Sequence, residues 1–359
     1  MNIDLKQLGL TEEMIQSAPM DDGTYIARVS AQYTGSYKII TEAGECMARL
    51  KGRLMFEGDD AGYPAVGDWV ISDRLTDANG EAVIGGIFAR KSCLSRKAAG
   101  TKDKRQVIAA NIDTVFICMS LNQNFNLRRT ERYLAMVWES NAVPVIVLTK
   151  SDLTPDADAK MLELEAVAAG VDTIAVSALE EDGLDALISF IQPGRTYAFV
   201  GSSGVGKSTI INRLLGGDVL AVNEIREQDG RGRHTTTNRQ LFMLPEGGLV
   251  IDTPGMRALE LYDADLSKTF ADIEALAQEC RFGDCTHTNE PGCAVKKAVE
   301  EGRLDADRLQ GFQKLRQEMV YEERRQTMTA AQAEKQKFIG MMGSLNAYKR
   351  INQENPKNR

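Results

Sequence analysis

Between Gly23 and Phe88 short apolar, β-branched runs alternate with turns rich in Gly, Asp and Asn. The runs cover residues 24–30, 37–41, 46–51, 68–72 and 82–88, each of strand length and strand composition. Asn79-Gly80 stands before the last run, where a tight hairpin turn is expected. Strands so short and so closely spaced predict a small barrel. An OB-fold, which commonly holds nucleic acid, and an SH3-like barrel both fit the pattern.

The rhythm then changes. Apolar runs at 114–119, 143–148, 173–176, 197–200 and 249–251 alternate with longer segments of helical periodicity. Buried strands alternating with helices predict a mostly parallel sheet covered on both faces, an α/β domain. Past Asp265 the pattern is helical: Leu309, Phe312, Leu315 and Met319 fall three or four apart, and Asp305 stands where an N-cap belongs. That stripe reads as core against a neighbouring element. From Thr329 the chain is polar and reads as a tail. The expected division is a barrel with a basic linker over 1–105, the α/β domain over 106–265, and a helical domain with its tail over 266–359.

Composition adds limits. A chain of 359 residues with 43% hydrophobic and 26% charged positions is an ordinary multidomain globular protein. No apolar run approaches the roughly 20 residues a membrane helix needs. The start, Met1-Asn2-Ile3-Asp4-Leu5, lacks the order of a signal peptide. A cytoplasmic protein with no membrane partner is expected, and nothing in the pattern calls for more than a monomer. The net charge of −8 argues against general nucleic-acid affinity. Locally the sign reverses, with Arg90, Lys91, Arg96, Lys97, Lys102, Lys104 and Arg105 against Asp103 alone. Such a stretch is either a solvated linker or a patch for RNA phosphates.

The segment Gly201-Ser202-Ser203-Gly204-Val205-Gly206-Lys207-Ser208 fits GxxxxGK[ST], between an apolar run and a helical pattern that starts at Thr209. Its backbone N–H groups can cradle phosphate, Lys207 can reach the β- and γ-phosphates, and Ser208 can ligate Mg²⁺. Asp252-Thr253-Pro254-Gly255 follows another apolar run. There Asp252 can hold the Mg²⁺ water shell and the Gly255 N–H can sense the γ-phosphate. Thr149-Lys150-Ser151-Asp152 is close to the Asn-Lys-x-Asp motif of GTPases, whose Asp binds guanine and whose Lys stem covers the base. Thr149 replaces the Asn. Val176-Ser177-Ala178, at the end of the next apolar run, resembles the backbone-contact motif for guanine O6, a weak signal by itself. The base motifs precede the phosphate motifs, the reverse of the ordinary order, so the domain reads as circularly permuted. Termini that lie close together tolerate such a change.

Between the P-loop and Asp252 lies Gly230-Arg231-Gly232-Arg233-His234-Thr235-Thr236-Thr237. Thr236 is placed to complete the Mg²⁺ shell. Met256 follows Gly255 where Ras-like proteins carry a water-orienting Gln, and a thioether is a poor substitute. His234 is the candidate for that task; the alternative is a surface or RNA-contacting histidine. Cys280, Cys285, His287 and Cys293 gather three cysteines and the other histidine of the chain into a Cys-x₄-Cys-x-His-x₅-Cys pattern. Three thiolates and an imidazole form a closed, structural Zn²⁺ shell. Cys46, Cys93 and Cys118 are scattered and are expected to be free thiols.

In these features the chain resembles the small ribosomal subunit biogenesis GTPases, a circularly permuted group. The resemblance rests on the barrel, Ser92-Cys93-Leu94-Ser95-Arg96-Lys97, the permuted motifs, Gly-Arg-Gly-Arg-His-Thr-Thr and the Cys/His spacing. It implies an OB-fold barrel, a permuted GTPase domain using GTP/GDP and Mg²⁺, and a zinc-binding domain. It further implies late assembly of the small ribosomal subunit, binding to its rRNA, hydrolysis stimulated by that subunit, and His234 as the water-orienting residue. The chain departs in its acidic net charge, in Thr149 and in its tail. Two other readings fit the motifs: a permuted GTPase serving the large subunit, and a nucleotide-dependent RNA-binding module with little hydrolysis.

Overall fold

A 3-10 turn, Leu5–Leu8, capped by Asp4, and the short helix α1 (Glu12–Ser17), capped by Thr11, open the chain. These are features of a computed structural model describing residues 2–18, 20–52, 63–97, 105–121, 125–154, 156–220, 239–252 and 266–327. The first compact unit takes in 1–96 and 105–259; the second takes in 97–104 and 260–359.

In the first unit β1 (Tyr25–Gln32), β2 (Tyr37–Thr41), β3 (Gly44–Leu50), β4 (Trp69–Ser72) and β5 (Ala82–Ile87) follow the five apolar runs. They are ordered β1-β2-β3-β5-β4, and β4 returns to β1 to close the barrel. The pair β3–β5 is parallel, which a simple meander cannot produce; this connectivity is OB-like and decides between the two barrels the sequence allowed. Alternate positions point inward, as strand periodicity requires: Ala27 and Val29, Cys46 and Ala48, Ala82 and Ile84 are all buried. Asn79-Gly80 lies in the β4–β5 connection, where the Gly80 N–H closes a turn on Asp77 O at 3.0 Å. The connection is longer than a two-residue hairpin, because Asp73 and Arg74 also fold into it: Asp73 accepts from the Val83 N–H at 2.8 Å.

The basic stretch carries structure that its charge conceals. Strands β6 (Cys93–Lys97) and β7 (Arg105–Ala110) form a two-stranded ribbon. Residues 98–104 lie outside the described residues. Before the ribbon, Arg90 makes a bidentate pair with Asp68, their side chains 11% and 0% exposed. Lys91 bonds Asp113 at 2.8 Å. These two cations hold the fold and are not free for phosphate.

The rest of this unit is the expected α/β sheet. Strands β8 (Thr114–Ser120), β9 (Val143–Thr149), β10 (Thr173–Val176), β11 (Thr196–Gly201), β12 (Gln240–Met243) and β13 (Leu249–Asp252) take the order β10-β9-β8-β11-β13-β12. All are parallel to their neighbours except β12, which runs antiparallel to β13. Its helices are α2 (Leu127–Glu139), α3 (Ala157–Glu165), α4 (Asp185–Ile188) and α5 (Lys207–Leu214). Phe116, Val147, Phe199, Ile210 and Val250 form part of the core. Barrel and sheet meet at Arg28 of β1, which is 1% exposed. Its guanidinium donates to the carbonyls of Leu8, Gly67 and Asn111 and to Thr196 Oγ1. Burial pulls its pKa down to about 10, opposed by the charges of Asp113 and Asp68.

The second unit contains α6 (Ala271–Ala277), α7 (Ala294–Glu300) and α8 (Ala306–Thr327). Asp305 caps α8 through the Arg308 N–H at 2.9 Å, as expected. Leu309, Phe312 and Leu315 are buried, and Phe312 meets Phe270 edge-on. The tail from Thr329 lies outside the described residues.

Candidate nucleotide site and metal centre

In an open parallel sheet, ligands bind outside the carboxyl ends of the strands. The motif residues gather at that edge. Gly201 ends β11 and the loop leads to Lys207 at the start of α5. Thr149 ends β9, Ser177 follows β10, and Asp252 ends β13. A Cβ on Gly201 would come within 2.3 Å of Cys118 O in the neighbouring strand, so only glycine allows β11 to turn into the loop there. Lys207 folds over the loop, its Nζ donating to Gly201 O at 2.8 Å and Ser202 O at 2.7 Å. The N–H groups at the start of α5 give the loop a positive end. Ser203 is exposed, and Gly204, Ser208 and Thr209 are half-buried.

The base motif is bonded directly to this loop. Thr149, 2% exposed, donates its hydroxyl to Val205 O at 2.5 Å. Lys150, in a left-handed conformation at φ +62°, extends to Gly204 O at 2.9 Å. Ser151 and Asp152 form the following 3-10 turn, and Asp152 Oδ1 accepts from Ser177 Oγ at 2.7 Å. At the position where the motif carries Asn, Thr149 thus supplies a side-chain donor to the P-loop backbone. Thr149 and Lys150, distant in sequence from 201–208, are bonded to that loop, and Asp152 to Ser177. Ala178 is half-buried in the loop that follows.

His234, Thr236 and Gly255 lie outside the described residues, as does Met256. Two arginines that no motif marked join the site. Arg129, in the first turn of α2, donates to Ser202 Oγ at 2.9 Å. Arg213, in the last turn of α5, reaches the carbonyls of Ala178, Glu180 and Glu181. Partners so remote in sequence leave no local spacing to read.

In the second unit the ligand atoms of Cys280, Cys285, His287 and Cys293 all lie within 4.8 Å of one another. Cys280 Sγ and Cys293 Sγ are 3.9 Å apart, and His287 Nδ1 is 3.7 and 3.5 Å from them. Tetrahedral Zn–S bonds of about 2.3 Å place sulfurs about 3.8 Å apart, so the cluster has the size and donor set of such a centre. The surroundings fix its loops. Gln313 of α8 donates to His287 O at 2.7 Å. Glu290 accepts from the Thr286 hydroxyl and from the N–H groups of Thr286, Thr288 and Asn289; the Thr286 hydroxyl first, helped by backbone N–H groups, holds its carboxyl down at about 2. Cys293 caps α7 through the Lys296 N–H.

The family model described as RsgA GTPase matches residues 87–262. A protein of Lactiplantibacillus plantarum named small ribosomal subunit biogenesis GTPase RsgA 2 is 49% identical over 98% of this chain and 99% of its own length. The small ribosomal subunit biogenesis GTPase RsgA 1 of Listeria innocua is 43% identical over 89% of this chain and 91% of its own. The crystal structure of YjeQ from Thermotoga maritima superposes with a TM-score of 0.61 at 26% identity, covering 83% of this chain and 99% of that one. The structure of YloQ, titled a circularly permuted GTPase, gives a TM-score of 0.58 at 26% identity, covering 86% and 99%. With its base motif ahead of its P-loop and both on one sheet edge, the chain belongs to the RsgA family of circularly permuted GTPases.

Proposed function

We propose that this GTPase acts in late maturation of the small ribosomal subunit, binds that subunit's rRNA, and hydrolyses GTP faster when docked on it. The support is 49% identity to a small ribosomal subunit biogenesis GTPase over nearly the whole of both chains. The relatives' names carry the small subunit, which disfavours a large-subunit role. A monomer working in the cytoplasm suits this reading, and no helix of the described residues is long and apolar enough to cross a membrane. Its working regions are the barrel over 1–105, the GTPase domain over 106–265 and the zinc-binding helical domain over 266–359.

In this reading Asp152, covered by the Lys150 stem, reads guanine, while Ser151, Ser177 and Ala178 complete the base pocket. Thr149 ties that pocket to the phosphate loop. The amides of 201–209 and Lys207 hold the phosphates. Ser208 and Thr236 would hold Mg²⁺, with Asp252 on its water shell and Gly255 sensing the γ-phosphate. The ion neutralises charge between the β- and γ-phosphates. His234 orients the attacking water. Cys280, Cys285, His287 and Cys293 hold one structural Zn²⁺.

Hydrolysis of GTP and ATP with and without purified small subunits, in wild type and His234→Ala, tests the reading. Turnover is expected to be GTP-selective, to rise with subunits, and to fall on the order of 100-fold in the variant. A rate indifferent to subunits would remove the ribosomal role. Full stimulated turnover in a GTP-binding variant would place the water-orienting group elsewhere.

A further inference from the structure

We propose that Arg213 is a specificity-positioning residue, holding the loop after β10 so that the Ala178 N–H is presented to the 6-position of the purine. The proposal rests on the guanine pocket assigned above. One guanidinium donates to three carbonyls of a single short loop: Nη1 to Ala178 O at 2.9 Å and to Glu180 O, and Nη2 to Glu181 O at 2.6 Å. The loop is pinned from its other sides as well. The Ser177 N–H bonds Gly183 O at 3.0 Å, and Ser177 Oγ donates to Asp152 and accepts the Leu179 N–H. A Cβ on Gly183 would lie 2.0 Å from Ser177 O, so the loop closes this tightly only with glycine there.

Within this pinned loop the Ala178 N–H makes no hydrogen bond to another described residue. It is flanked by the bonded N–H groups of Ser177 and Leu179 and follows the residue whose Oγ bonds Asp152, so it is open to a ligand that Asp152 also reaches. An N–H can bond the O6 acceptor of guanine and is mismatched to a 6-amino donor. Arg213 stands at the end of α5, whose beginning carries Lys207. The helix that starts at the phosphates thus ends by holding the base-reading loop. Charge alone does not explain the arrangement: three carbonyls in an arc suit the planar fork of arginine, and a lysine cannot span them.

The test uses the full-length protein and measures binding of GTP, inosine triphosphate and 2,6-diaminopurine riboside triphosphate. Inosine keeps O6 and N1–H and lacks the 2-amino group; diaminopurine keeps the 2-amino group, carries an amine at position 6 and has no N1–H, a loss at Asp152 that is common to wild type and variant and cancels when the two are compared. Wild type should prefer GTP over both. In Arg213→Ala the preference for GTP over the diaminopurine nucleotide should fall about tenfold, the worth of one neutral hydrogen bond. The preference for GTP over inosine triphosphate, which reports Asp152, should stay unchanged. Arg213→Lys should also lose the first preference. Equal losses for all three nucleotides, or none, would overturn the proposal and leave Arg213 a structural residue. A wild type indifferent to the 6-position would instead overturn the guanine pocket itself.

Discussion

Thr149 shows how a departure from a motif becomes intelligible once its partner is known. The hydroxyl donates to a P-loop carbonyl from a site almost closed to water, so its bond is made in place of hydration and its loss strands the Val205 oxygen. Thr149→Val is isosteric and removes only the donor. It is expected to lower unfolding free energy by about 1–3 kcal/mol and to weaken GTP binding, while Thr149→Asn keeps a donor and retains most of both. Denaturant titration beside a GTP binding isotherm checks this; an unaffected Val variant would mean that the two motifs are held together by other contacts. At this scale the sequence named the residue types but not their partners. Lys150 and Asp152 were legible as a motif, whereas their bonds to Gly204 and Ser177 belong to the fold.

Among elements, the junction of barrel and sheet depends on ionised groups. Burial would raise the carboxyl of Asp113, but Lys91, the Thr196 N–H and Arg195 outweigh it and leave the pKa below its ordinary value. A carboxylate depressed in the folded state stabilises fully above its unfolded pKa of about 3.9, and that contribution disappears as pH falls through the folded value. Melting temperature should therefore drop on acidification below about pH 4, and Asp113→Asn should show a shallower drop from a lower neutral-pH starting point. Parallel acid limbs in the two proteins would show that Asp113 gives no such linkage. The strands themselves were readable because alternation and buried runs leave a period in the sequence, as at Ala27 and Val29. The ribbon β6–β7 was not: Arg96, Lys97 and Arg105 break the apolar pattern, and its pairing joins segments across a charged connection. Arg90 was likewise misplaced by its neighbours, since Asp68, its partner, sits in another strand region.

For the whole molecule, the second unit is small, and its α6, α7 and α8 accompany a cluster of thiols and an imidazole. A structural zinc contributes roughly 10–16 kcal/mol in comparable small modules. Purified protein is expected to contain one zinc per chain, and chelation should melt the second unit while leaving GTP binding in the first. Helical circular dichroism and nucleotide titration separate the two effects; an unchanged spectrum after complete metal removal would show that the helices hold without it. The strand order has a different consequence, for the growing chain. β8 comes first in its sheet, β9 and β10 extend one side of it, and β11 then adds to the other. The β12–β13 hairpin adds last. In order of synthesis β9, β10 and β11 each lie beside a strand made before them, and the β12–β13 hairpin fills the place between β11 and β1 of the barrel, so that no pair made earlier need be opened. The base motif after β9 and the loop after β10 are therefore synthesised before the P-loop, and α5, with Lys207 at one end and Arg213 bonded to the loop after β10 at the other, is the late-made element that ties the two together.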